Sequence, residues 1–234
     1  MDIRGRVLAL SRFPVKSTAG ESLQCATVTG QGIDHDRRWA VFTAEGRIAS
    51  GKTTKRFRRV DGLLYWRSTV DGDSVHLHAP DGNVLSVNDS AASKALSDAF
   101  GEPLVLKEAT DEPHHDDCPV HLVTTSSIES VQRSLGQRID AARLRANILI
   151  ETVDAGFPED QWDGVSLAIG PTVVLRVDGG MPRCRMVDEP QVGVTAEPRM
   201  LRAIGMTRGA ELGARATVVQ SGRITVGDAV CVLG

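Results

Sequence analysis

Aromatic residues are scarce: they make up 4% of the 234 positions, so any core must be built mainly from Val, Leu, Ile and Ala. Long apolar runs are missing as well. No stretch approaches the ~20 residues that cross a bilayer, and the opening "MDIRGRVLALSRFPVKS" places charges at Asp2, Arg4 and Arg6 where a secretory signal needs a continuous apolar segment. A cytoplasmic protein without membrane contact is expected. There is no excess of positive charge. The formal net charge of -3 argues against a general nucleic-acid binder. The four cysteines, Cys25, Cys118, Cys184 and Cys231, form no C-x-x-C pair, which removes zinc ribbons, ferredoxin-type clusters and dithiol redox motifs. Glycine-rich phosphate loops and the G-x-S-x-G nucleophile elbow are also absent.

What is present reads as a globular chain, 41% hydrophobic and 24% charged, long enough for one two-lobed unit or two small domains. Short alternating or apolar runs dominate up to Val87. The turn dipeptides Asp71-Gly72 and Asp81-Gly82 predict an antiparallel meander, whose edges closure into a barrel would remove. Helical spacing follows from Ser90 to Phe100, with Ser90 as the expected cap and Gly101 as the stop. The acidic stretch "EATDEPHHDDCP" predicts a surface linker. Beyond it come the strand "VHLVTT", a helix with Ser126 and Glu129 as a capping box, and strands at "NILIE", "VSLAIG" and "TVVLRV". A short helix carrying Pro198 in its first turn and a closing hairpin around Ser221-Gly222 complete the pattern. The expectation is a mainly β protein with about three short helices and two β-rich lobes, divided as 1–108, a linker 109–119, and 120–234.

Chemistry-bearing residues are scattered. Cys184 lies between Arg183 and Arg185 in "VDGGMPRCRMVDEP". It is either a packed small hydrophobe or a thiolate favoured by the neighbouring positive charge. In "FPVKS", Lys16 and Ser17 offer an ammonium and a hydroxyl, a pair suited to phosphate, or else an ordinary turn. "DHDRRWAVF" puts charges at a strand entrance, where they usually face water, yet an arginine there can clamp a phosphate. Arg145 and Asn147 in "RLRANILI" would share one strand face. The basic run Lys52 to Arg59 is either a solvated loop or a rim for an anionic substrate or acidic partner. "HHDDC" offers metal-ligand residue types with no matching second group.

Taken in order, "FPVKS", "GIDHDRRWAV", "LRANI", "FPEDQWDGVSLAIG", "PRC" and "GRITVGDAV" resemble the MOSC (molybdenum cofactor sulfurase C-terminal) superfamily, in the branch holding the mitochondrial amidoxime-reducing component and its bacterial relatives. The resemblance runs across nearly the whole chain. It implies an N-terminal MOSC-type β-barrel lobe followed by a MOSC domain, with a molybdopterin cofactor bound between them. It implies Cys184 as the molybdenum ligand and catalytic residue. Lys16, Ser17, Arg37, Thr124, Thr125, Ser126, Arg145, Asn147 and Arg183 are implied as cofactor-binding residues. The implied reaction is two-electron reduction of a small N-hydroxylated or N-oxide compound, with electrons from a separate flavin or iron–sulfur reductase. The alternatives are a carrier of the cofactor or of sulfur, and a binder of another phosphorylated ligand. The chain departs from the family pattern at Met181, where relatives often carry a cysteine, and at Ala146, where they carry a proline.

Overall fold

The computed structural model describes residues 2–233. Its largest sheet runs, in spatial order, Ile148–Glu151, Val120–Thr124, Glu211–Gln220, Val173–Pro182, Ser166–Ile169, Ala229–Leu233, Asp2–Arg12 and Glu21–Leu23. Ile148–Glu151 also pairs with Asp2–Arg12, so seven of these strands close into a barrel. Closure is possible because alternating side chains fill the interior. Val7, Leu10, Leu122, Ile150, Leu167, Ile169, Leu175 and Val177 are all buried in one cluster with Trp162. The mainly β expectation holds, with three α-helices at Ser90–Phe100, Thr125–Leu135 and Met200–Arg208.

Six of the seven barrel strands come from the second half of the chain, and the first strand completes the ring. The N-terminal meander does not close by itself. Arg67–Asp71, Ser74–His78 and Val84–Ser86 form one small sheet, and Leu104–Glu108, Trp39–Thr43, Ile48–Ser50 and Phe57–Arg59 form another. Both pack with the Ser90–Phe100 helix around a second core of Val15, Trp39, Val41, Leu63, Trp66, Leu77 and Leu96. Two of the three tryptophans thus serve the smaller core, packed among its Val, Leu and Ala side chains.

Val120–Thr124 and Ile148–Glu151 are parallel, and the helix Thr125–Leu135 makes the crossover that parallel strands require. This explains why Val120–Thr124 is buried on both faces. Leu122 looks into the barrel, while Val123 meets Ile128, Val131, Met200 and Ile204 in a third cluster.

Four local expectations are corrected. The crossover helix is capped by Thr124, whose Oγ1 accepts from the Ser127 amide at 3.1 Å, because the strand runs straight into the helix; Glu129 faces solvent. Asp89, not Ser90, caps the first helix, accepting from the Ala91 amide at 2.8 Å. The last helix starts at Met200, after Pro198. No hairpin forms at Ser221-Gly222. Gly222–Thr225 leaves the barrel and pairs with Cys25–Thr29, since a side chain at Gly222 would meet Thr172 at 2.2 Å and the bare backbone is what passes there. No helix among the described residues is long and apolar enough to cross a membrane.

Candidate functional site

Several remote segments converge on one cleft at the junction of the two cores. Its lining includes Lys16, Ser17, Lys52, Arg37, Asp116, Cys118, His121, Arg143, Arg145, Asn147, Met181, Arg183 and Cys184. Six basic side chains (Lys16, Arg37, Lys52, Arg143, Arg145 and Arg183) stand against the carboxylates of Asp116 and Asp117, so the cleft is cationic. Seven of the ten sequence-predicted site residues are brought together here. The other three, Thr124, Thr125 and Ser126, do not line it. Thr124 Oγ1 donates to the buried Glu159 at 2.7 Å, Thr125 Oγ1 accepts from the Thr152 amide at 3.2 Å, and Ser126 Oγ lies 2.9 Å from Thr152 Oγ1. Their hydroxyls serve the helix start and its neighbouring loop.

The backbone at the cleft is unusual. Five non-glycine residues among those described have positive φ: Ser17, His35, Arg37, Arg145 and Ala210. Three are predicted cofactor residues, His35 adjoins Asp36, and the Ala210 carbonyl accepts from the Arg183 amide at 2.7 Å. Left-handed backbone costs a residue with a Cβ about 1–2 kcal/mol, so it persists only where surrounding bonds enforce it. Those bonds are present. The Arg37 amide donates to the Phe13 carbonyl at 2.8 Å, and the Arg145 amide donates to the Ala142 carbonyl at 3.0 Å. Arg145 therefore caps the short 3-10 turn Ala141–Leu144 instead of lying in a strand, and simple alternation with Asn147 does not apply.

Asp36 organises the centre. Its carboxylate is buried, accepts from the Phe13 amide at 2.7 Å and Asn147 Nδ2 at 3.0 Å, and pairs with the Arg37 guanidinium. Arg37 continues to the Arg145 carbonyl at 3.2 Å, and Arg145 to the Thr18 carbonyl at 2.7 Å. Both guanidinium groups sit over the Phe13 ring, at 4.9 and 4.3 Å from its centre. Asn147 spends its amide on the protein. Nδ2 donates to Asp36 and to the Ser11 carbonyl, while Oδ1 accepts from the His121 amide at 3.1 Å. It holds the first strand against the second half of the chain and keeps Arg37 in place.

The thiol arrives on a distorted strand. Val173–Pro182 pairs with Glu211–Gln220 but slips register between Val177 and Gly180 and again before Pro182. Gly179 has φ 97°, and a Cβ at Gly180 would lie 2.4 Å from the Glu211 carboxylate. Gly179 thus supplies the left-handed backbone of the bulge that bends the chain toward the cleft, and Gly180 leaves room for the Glu211 carboxylate. Cys184 follows the strand in extended conformation and is half-buried. Arg183 Nη2 donates to the Leu144 carbonyl at 2.7 Å and Nη1 lies 3.4 Å from His121 Nε2, while its buried Nε has no partner. Burial, opposed by the Cys184 charge and assisted by Arg37, lowers its pKa to about 10, so it stays cationic at neutral pH. His121 is held neutral by burial and then by Arg183 and Arg37. Buried Arg143 donates to the Val187 carbonyl at 3.1 Å and so fixes the turn after Cys184.

Residues missed in the motifs lie in the stretch read as a linker. It runs along the surface at Asp111 and Glu112, but its end enters the cleft. Asp116 bridges Lys16 Nζ at 2.8 Å and Lys52 Nζ at 3.1 Å. Burial is the largest influence on Lys16 and lowers its pKa to about 8, with Asp116 opposing. Burial pushes the Asp116 carboxyl up, but the two ammonium groups outweigh it and hold it well below the usual carboxylate range. Most of the basic run is neutralised locally. Arg58 pairs with Glu45 and Glu102, Arg59 with Asp61 and Glu189, and Arg56 donates to the His115 carbonyl. No group of three or more His, Cys, Asp or Glu side chains among the described residues could hold a metal. A metal at Cys184 would have to bring its own further ligands. The donor set fits such a group when it is also an anion: the half-buried Cys184 thiol with Cys118 nearby in the lining, an unspent Arg183 Nε, and a cationic floor.

Fold and cleft together define a β-barrel protein with a cationic cleft in which the Cys184 thiol follows the end of a bulged strand. The chain belongs to the MOSC domain family: residues 109–231 match the family's MOSC domain, and residues 4–112 match its MOSC N-terminal beta barrel domain. It is 24% identical to mitochondrial amidoxime-reducing component 1 of Danio rerio, across 97% of this chain and 84% of that protein. It is 27% identical to the molybdenum cofactor sulfurase of Drosophila willistoni, across 79% of this chain, and it spans only 27% of that relative's length. The crystal structure of the YUAD protein from Bacillus subtilis shares the fold, with a TM-score of 0.53 at 12% identity over 98% of this chain and 96% of that one.

Proposed function

We infer that the cleft binds a molybdenum cofactor and that the protein reduces N-hydroxylated or N-oxide small molecules. The observation that carries this is the convergence of Cys184 with Lys16, Ser17, Arg37, Arg145 and Arg183 in one cleft, although they are far apart in sequence. In this reading the Cys184 thiolate is the soft protein ligand to molybdenum. Lys16, Ser17 and Arg37 hold the cofactor phosphate, and Arg145 and Arg183 line the pterin. Asn147 acts by positioning Arg37. When bound, the cofactor supplies two-electron oxygen-atom removal. A separate flavin or iron–sulfur reductase delivers electrons in the cytoplasm, where the thiol stays reduced.

Elemental analysis and mass spectrometry of protein from a cofactor-competent host test the reading. About one molybdenum per chain is expected, with a pterin phosphate, and loss of both metal and reductase activity in Cys184→Ala. Full metal loading and turnover in that variant would refute the role of Cys184. Matches to several molybdenum cofactor sulfurases favour a second reading, in which the domain carries the cofactor or its sulfur. Bound cofactor without turnover, and its transfer to an apo-enzyme, would decide for that reading.

A further inference from the structure

One acidic contact in the cleft is partly exposed and pairs with two cations at once. Asp116 stands at the end of the segment Pro113–Cys118, and its two carboxylate oxygens are divided between Lys16 and Lys52. Those two ammonium groups flank one ring face region, lying 5.2 and 4.5 Å from the centre of Phe57. Lys16 is 5% exposed and carries its charge in spite of burial, so something anionic must stand beside it. Asp116 does so from the surface side, with a side chain still 39% exposed. A phosphate offers the same pair of oxygens to the same pair of cations. It also brings more charge than a carboxylate.

We propose that Asp116 is an internal occupant of the anion site, and that Pro113–Cys118 is a latch released when a phosphate takes its place between Lys16 and Lys52. The idea rests on the anion-binding reading of the cleft and adds two residues to it: Lys52 as a second cation of the phosphate subsite, and Asp116 as a competitor. To move, the segment must give up a side-chain contact, the His114 ring packed edge-on against Phe42 with centroids 5.5 Å apart. Its backbone is held by few bonds: the His114 amide donates to the Arg37 carbonyl at 2.8 Å, and Arg56 reaches the His115 carbonyl at 2.7 Å. The ring of His115 touches the Gln31 carbonyl at 3.1 Å. The His114 bond ties the latch to the backbone of Arg37, a residue assigned to the same phosphate, so anion arrival and latch release act on one place.

The test uses the full-length chain made in a host that cannot synthesise the cofactor, titrated with inorganic phosphate by calorimetry. Asp116→Asn keeps the shape and removes the competing charge. It should bind phosphate about tenfold more tightly than wild type, the scale of one like charge removed from a partly exposed site. Lys52→Ala should bind about tenfold more weakly. Hydrogen exchange gives a second readout. Phosphate should speed exchange at the His114 amide in wild type, because the latch opens and its bond to the Arg37 carbonyl breaks. Equal or weaker binding by Asp116→Asn, or slower exchange in the segment when phosphate binds, overturns the latch while the anion site stands. No phosphate binding by either protein overturns the latch and the anion-site reading together.

Discussion

Replacing Asp36 with alanine should cost about 4 kcal/mol of folding stability and dismantle the cleft in the same step. The carboxylate is buried and accepts from the Phe13 amide at 2.7 Å, from Asn147 Nδ2 at 3.0 Å, and from Arg37. Without it the Phe13 amide becomes a buried donor with no acceptor, a loss of about 1–3 kcal/mol. Arg37, whose side chain is 13% exposed, loses its counter-charge. Removing one member of a buried pair costs about 3–5 kcal/mol. That figure is reduced here because Arg37 keeps the Arg145 carbonyl at 3.2 Å and some exposure to water. Asn147 keeps the Ser11 carbonyl at 3.3 Å, so it adds little. Taken together, about 4 kcal/mol is a large share of the 5–15 kcal/mol typical of a folded domain.

Asparagine should not rescue the site. If its oxygen faces the Phe13 amide, its NH2 group must face Arg37 and Asn147, and donor meets donor. A loss of about 2 kcal/mol or more is expected from that clash. Urea unfolding followed by circular dichroism measures both variants, with an unchanged slope showing that stability alone has moved. Phosphate titration of the same preparations should show weaker binding, since Arg37 and Asn147 lose their anchor. Stability within 1 kcal/mol of wild type for the alanine variant, or wild-type stability for asparagine, would refute the assignment of Asp36 as the charged hub.

Lys16 loses its proton as pH rises through about 8, and only its charged form attracts an anion, so phosphate affinity should fall between pH 7 and 9. Lys16→Arg, charged throughout this range, should flatten the titration; an unchanged fall would place the titrating group elsewhere. Gly5 faces the barrel seam, where a Cβ would lie 2.3 Å from the Glu151 carbonyl oxygen. Gly5→Ala should lower the melting temperature by about 5 °C through overpacking of about 1–3 kcal/mol. A melting temperature within a degree of wild type would show that the seam yields freely.

How far this was readable in the sequence depends on the kind of contact. The strands at "VSLAIG" and "TVVLRV" were legible because alternation is a local property and their buried faces line one interior. The cleft's Lys16, Arg37 and Cys184 were found through local strings and the order of motifs. Asp36 was not singled out, because a carboxylate before a strand usually faces water, and only residues 23 and 111 positions away bury it. Asp116 was hidden for the opposite reason: its segment has a linker's composition, and its partners lie 100 and 64 positions distant. Thr124 and Ser126 were harder to place, because a hydroxyl at a helix start can serve a ligand or the protein, and here their partners Glu159 and Thr152 lie in the neighbouring loop. The hairpin at Ser221-Gly222 failed because a turn dipeptide specifies a reversal, not the strand that will receive it.

The location of the cleft follows from the way the first strand is used. Asp2–Arg12 belongs to the barrel, yet the chain leaves it directly for the turn that carries Lys16 and Ser17. Residues near its end therefore face strands from the second half, and the contacts there cross the junction. The Ser11 amide donates to the Asn147 carbonyl at 2.9 Å, Arg145 reaches Thr18, and Asn147 reaches Asp36. Arg37, Arg145 and Arg183 are crowded within this lattice: burial lowers the proton affinity of Arg145 and Arg183 most, Arg37 lowers both further, and Arg183 adds to the effect at Arg145. Such mutual repulsion opposes folding, and the left-handed backbone at Arg37 and Arg145 adds to it. Asp36 and the aromatic face of Phe13 offset only part. Under the proposed reading a bound anion offsets this repulsion further, so ligand should raise the stability of the folded chain.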